Sequence, residues 1–264
     1  MENIFKLSRF LRLLKKSLFE RPVQLFGLTL MILGLVLLIY STCRDLVGYP
    51  TVHFMTFFLG LVGGGYFLAA AVFGQFSTYA RGASYLTLPV SNLEKWLCGV
   101  VIILLIYVPL FLLFYRLMDS TLVEIYRNNL DPKIYNYKWK LEEAKVLDYD
   151  SLNVKILSYI FYNISGIMLL GALFFNKLAN IKVAIIICGI LFLGLGINYV
   201  IANSLFPTGV KAFPFLYATI KTDDNYRNVE LPTQAQLMVS ITFMYVLPVV
   251  LYLLAFIKLR EKEF

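Results

Sequence analysis

The chain has 264 residues, of which 59% are apolar and only 15% charged, with a mean hydropathy of +0.74. Soluble domains carry roughly 25% charged residues, so the one or two soluble domains that the length alone would allow are excluded, and the long apolar runs read as an all-α, polytopic membrane protein. The net charge of +8 does not call for nucleic acid, because basic loops on the inner side of a membrane protein give the same excess.

In chain order, residues 3–21 read as an amphipathic helix. Ile4, Leu7, Leu11, Leu14 and Leu18 recur at spacings of three and four and form one apolar stripe. Lys6, Arg9, Arg12, Lys15 and Lys16 fall largely elsewhere. A helix of this kind lies in the headgroup plane with its basic residues at the membrane interface, near anionic lipid. The apolar run that follows is too long for a signal-peptide h-region. Pro22 suits the first turn of a helix, and residues 23–41 are the first spanning segment. A short loop over 43–51 leads to the second, 52–76. Here Gly60 and Gly64 form a GxxxG, which lets a neighbouring helix approach closely; the packing it signals is more often within a chain than between chains.

Residues 76–97 are too polar to cross a bilayer. Pro89 breaks any helix before it. Ser91 followed by Glu94 is a capping-box signal: the Ser oxygen accepts the Glu94 N–H while the Glu carboxylate reaches back to the Ser91 N–H. The segment therefore reads as a short helical piece, a break, and a new helix that runs into the membrane. Arg81 and Lys95 flank a small apolar group of Tyr85, Leu86 and Leu88, a combination suited to docking another protein.

The third span is 97–117, with Pro109 expected to kink it. Residues 118–152 form an external loop rich in aromatics, with helix expected around 141–146. The fourth span, 153–175, is joined by a tight turn to the fifth, 183–206. Asn198 and Asn203 in its later half are expected to bond to a neighbouring helix or line a wet region. A second external loop covers 207–232, and within it 210–220 is apolar but too short to span, so it reads as interfacial or re-entrant. The sixth span is 235–257, followed by Lys258, Arg260 and Lys262. Residues 1–264 thus form a single transmembrane domain. With both termini on one side, residues 1–21, 76–97, 176–182 and the tail hold 13 Lys and Arg against 5 acids, and the rest of the chain holds 11 against 11. The denser basic side is inside, which gives an N-in, C-in topology.

Several chemistries lack their residues. There is no G-x-x-x-x-G-K-[ST] for ATP and no H-E-x-x-H or clustered ligand set for a metal. Cys43, Cys98 and Cys188 have no pairing pattern. The single histidine, His53, reads as an interfacial polar residue, and Glu142-Glu143 as a solvated pair. The middles of the spans carry almost no ionisable residues, which argues against an ion-coupled carrier.

The order of these parts resembles the permease subunit of an ABC-2-type ABC transporter. Residues 81–99, RGASYLTLPVSNLEKWLCG, are similar to that family's coupling region, and 3–21 to its amphipathic elbow helix. The 118–152 loop is longer than in many members. The resemblance implies a bacterial cytoplasmic (inner) membrane protein that pairs with a second copy or a homologous permease and exports a substrate. It implies that ATP and Mg are bound and hydrolysed by separate ABC ATPase subunits, with no cofactor and no catalytic residue in this chain. Arg81, Tyr85, Leu86, Leu88, Ser91 and Glu94 are then the ATPase-docking residues of a cytoplasmic coupling helix. The alternative is a non-transporting membrane scaffold or assembly factor.

Overall fold

The computed structural model describes residues 5–20, 22–74, 90–132, 137–175, 178–205, 211–213, 217–222, 225–230 and 232–261. Among them, six helices are long and apolar enough to cross a membrane: Val23–Arg44, Tyr49–Phe73, Asn92–Asn129, Leu152–Phe174, Ala179–Ile201 and Thr233–Glu261. The chain is accordingly a multi-pass membrane protein in its build. The second span is the most buried and the fifth the least. The second, fourth and sixth spans pack side by side, with the first and third closing the bundle around the second. The fifth span touches the bundle through Ala179 and Val183 near its start and is exposed along most of its remaining length. Asn203 is exposed there.

The glycines of the second span explain its central place. A methyl at Gly60 would stand 2.9 Å from Val36 and collide with the Phe111 ring, and one at Gly64 would collide with the Tyr107 hydroxyl and stand 3.1 Å from Ile32. The GxxxG therefore seats the first and third spans against the second, within the chain. Gly65 makes the same close approach to Phe161 of the fourth span. Around Gly60 the helix widens into a π-helical turn, Phe58–Gly63, where the Gly64 N–H is shared among the carbonyls of Leu59, Gly60 and Leu61. The Gly60 carbonyl also accepts the Tyr107 hydroxyl, so the loosened backbone oxygen is satisfied from the third span. A Gly64→Val variant should lose about 1–3 kcal/mol, the usual cost of overpacking a tight contact, read as a lower unfolding midpoint in bicelles; Gly63→Ala, where a methyl meets nothing, should not.

Pro109 and Pro248 also sit beside π-helical turns, Ile102–Tyr107 and Thr242–Val246, each ending two residues before the proline. Proline lacks the N–H and crowds the carbonyl four residues back; the wider turn shifts that carbonyl and takes up the misfit.

Three features differ from the sequence reading. The third helix does not stop at 117 but runs to Asn129. Met118, Leu122, Val123 and Tyr126 keep a helical stripe packed on the core, and Asp131 and Pro132 follow where the chain leaves the helix. Within the loop between the third and fourth spans the helix is Tyr137–Glu143, earlier than 141–146. Residues 207–232 hold no described re-entrant helix. They carry a three-stranded antiparallel meander, β1 (Lys211–Phe213), β2 (Tyr217–Thr222) and β3 (Asn225–Glu230). Thr222 pairs with Asn225 at one end of the β2–β3 ladder. The all-α description therefore holds for the membrane bundle and not for this loop.

Candidate functional site

Two polar clusters lie at opposite ends of the bundle. One joins the amphipathic helix, Leu7–Glu20, to the start of the third span. Ser91 is the N-cap of that span and accepts the Glu94 N–H at 3.2 Å, while Glu94 Oε2 accepts the Ser91 N–H at 2.9 Å. The capping box is complete. The second oxygen of the same carboxylate, Oε1, accepts the Lys6 N–H at 2.7 Å and the Arg9 guanidinium at 3.2 Å. Lys6 is the N-cap position of the amphipathic helix, since its carbonyl takes the first helical bond, from Phe10. That helix has Arg9 where a capping-box Glu would stand. Glu94 thus supplies the missing carboxylate from another segment and caps two helices at once, placed where both helix dipoles favour a negative charge.

Glu94 has 0% of its surface exposed. Its carboxylate faces the amphipathic helix, so it is not a surface docking group. Arg9, 33% exposed at its side chain, belongs to this cluster, whereas Lys6, Arg12, Lys15 and Lys16 are exposed and remain available to the membrane surface. The apolar stripe is split. Phe10 and Leu13 are buried, with Leu14 and Leu18 packed beside them, while Leu7 and Leu11 are exposed. One edge of the helix meets the bundle and the other faces outward. Ile4 and four of the residues expected to dock an ATPase, Arg81, Tyr85, Leu86 and Leu88, lie outside the described residues.

The cluster at the opposite end centres on Asp119, 0% exposed, and His53, 5% exposed. His53 is therefore not an interfacial residue. Asp119 Oδ1 takes His53 Nε2 at 2.8 Å and the Tyr40 hydroxyl at 2.5 Å; Tyr40 and His53 are also 3.0 Å apart. Oδ2 takes the Leu147 N–H at 2.7 Å. Three spans and the outer loop meet on one carboxylate. Below it, Tyr115 bonds to Thr56 at 2.9 Å, and Phe57 packs edge-on against Tyr115 with ring centres 5.2 Å apart.

The loop between the third and fourth spans is clasped along the third span in antiparallel order. Arg127 donates to the Ala144 carbonyl at 2.8 Å, Asp119 and Arg116 hold the two sides of Leu147, and Tyr149 donates to the Leu112 carbonyl at 2.8 Å. Arg116 also lies over the Tyr149 ring, 5.7 Å from its centre. Burial pushes the Tyr149 phenol up to about 12 against the pull of Arg116, so it stays a neutral donor throughout the physiological range. Leu112, Arg116, Asp119, Val123 and Arg127 recur at helical spacing, and that pattern is the one sequence signal that would have extended the helix past 117.

Among the described residues, no group of three His, Cys, Asp or Glu side chains is placed to hold a metal ion. The fold defines a class, a multi-pass bundle with a helix clamp at one end and a loop clasped along the third span at the other. No family model, curated protein or solved structure matches the chain.

Proposed function

We propose that this chain is the permease subunit of an ABC-2-type exporter, with residues 76–97 as the segment through which separate ATPase subunits move the bundle. One observation carries the reading. The carboxylate at the end of that segment caps both the third span and the amphipathic helix. A push on the segment then reaches a spanning helix and a surface-lying helix together, without passing through the apolar core. The exposed Arg12, Lys15 and Lys16 would hold that surface helix at the inner leaflet, consistent with an N-in orientation. The ionisable pair of the bundle, His53 and Asp119, stands near its outer boundary. The third helix is 38 residues long, about 57 Å at 1.5 Å per residue. Asp119 lies about 40 Å along it, near the far side of a hydrocarbon core of about 30 Å. A proton or ion pathway would need such groups at mid-depth, so an external ATPase remains the favoured source of work.

The scaffold reading draws on a different feature, the clasped outer loop, which exposes Trp139 as a partner-binding group would. The two readings separate in a mild-detergent purification of the tagged chain from its native membranes. The permease reading expects a Walker-motif ATPase to co-purify, and to be lost when Leu86 and Leu88 are both changed to Asp. A chain that comes down with other membrane proteins and no ATPase sinks it. Within an assembled complex, Arg81→Glu should leave membrane insertion intact and lower substrate-stimulated ATP hydrolysis about tenfold, the effect of removing one well-placed charged contact of about 1.4 kcal/mol. Unchanged stimulation would remove Arg81 from the coupling role. Glu94→Lys is a poor substitute for this test, because Glu94 is buried.

A further inference from the structure

At the end of the bundle opposite the amphipathic helix, a half-open cavity of about 340 Å³ lies between the first turns of the second and fourth spans and beneath the outer loop. Its walls are apolar: Phe54, Phe57, Val154 and Leu157. Its rim carries Glu142, Glu143 and Asp148 against the one cation Lys145, a net negative mouth over a greasy pocket.

Two polar groups in its lining have unused bonding capacity. The Ser151 hydroxyl oxygen is buried and has no hydrogen-bond partner among the described residues. His53, 95% buried by its 5% exposure, spends Nε2 on Asp119 and Tyr40. Carboxylate oxygens only accept, so Nε2 is the protonated nitrogen in that contact. In the neutral ring this leaves Nδ1 as a lone-pair acceptor, bonded to none of the described residues. The pocket thus combines an apolar body, an imidazole acceptor, a hydroxyl and an acidic mouth. Acceptors and negative charge both select a donor-bearing cation, and aromatic walls suit one as well.

We infer that this outer cavity binds a small amphipathic monocation, an ammonium group on an aryl or alkyl body. The ammonium sits between His53, Ser151 and the rim carboxylates, and the apolar body lies against Phe57, Val154 and Leu157. The inference does not rest on the ATPase reading, since it needs only this chain.

The test is calorimetric titration of the full chain in nanodiscs, corrected with empty nanodiscs, using 2-phenylethylammonium and its carboxylate counterpart 3-phenylpropanoate. The expected result is saturable binding of the ammonium at one site per chain, at least about tenfold tighter than the carboxylate. Val154→Trp, which fills the pocket, should abolish it. The exposed-rim double variant Glu142→Gln/Asp148→Asn, chosen because it leaves the core untouched, should weaken it about fivefold, as expected for two partly screened charges. Equal uptake of both probes, no saturable uptake, or undiminished ammonium binding in the rim variant would overturn the site.

Discussion

Asp119→Ala should destabilise the protein by about 3–5 kcal/mol, because it leaves the buried His53 Nε2–H, the Tyr40 hydroxyl and the Leu147 N–H without their acceptor, each costing about 1–3 kcal/mol. The variant strips one carboxylate from three groups at once, His53, Tyr40 and the Leu147 N–H, and the last of these seats the loop on the third span. The loss is local as well as global. Arg127 and Tyr149 still hold the two ends of the clasp, so residues 144–149 should open in the middle. Limited proteolysis should then cut there in Asp119→Ala and not in the parent chain. Tyr40→Phe removes one donor and leaves the His53–Asp119 contact, and about 1 kcal/mol is expected. A double-mutant cycle on His53 and Asp119 should return a coupling of about 1–3 kcal/mol. Additive effects would mean that the two are neighbours without being partners.

Glu94→Ala is the second large effect, about 2–4 kcal/mol. It leaves the backbone N–H groups of Ser91 and Lys6 without their carboxylate, each a lost cap of about 1–2 kcal/mol, and Arg9 loses its pairing with Glu94. Loss of the Ser91 half alone is obtained with Ser91→Ala, which spares the Lys6 and Arg9 contacts and should cost about 1 kcal/mol. The distinguishing readout is position. A spin label at Arg12, on the exposed face of the amphipathic helix, should gain mobility in Glu94→Ala and stay unchanged in Ser91→Ala. Equal mobility in both would show that the amphipathic helix is held by Phe10 and Leu13 alone.

These two clusters also mark what a linear reading reaches. The capping box at Ser91 and Glu94 is legible because both partners lie within four residues and the geometry is local. The second use of the same carboxylate is not, because Lys6 is 88 residues away. Its trace is negative: a helix that begins on Lys6 with Arg9 three residues later has no cap of its own. The six spans are legible from length and hydropathy. The extension of the third is hidden because Asp119 and Arg127 look like loop charges, although they sit on a stripe that continues the helix. His53 and Asp119 are 66 residues apart, and a lone histidine beside an apolar run carries no hint of its partner. The meander is missed by reading 210–220 for hydropathy. Tyr217, Thr219, Ile220 and Thr222 favour strands, and Asp223-Asp224 gives turn residues at the hairpin. The glycines were informative because a close approach depends on size alone, which the letters state.

The coupling account turns on what touches residues 76–97 in the membrane. A photocrosslinking residue placed at Leu86 in the full-length chain, irradiated in native membranes, measures this directly. The account predicts one dominant protein adduct, an ATPase with a Walker motif, which disappears when Leu88 is changed to Asp. An adduct with a protein that has no nucleotide site, or with lipid only, would contradict it and leave the scaffold reading in its place.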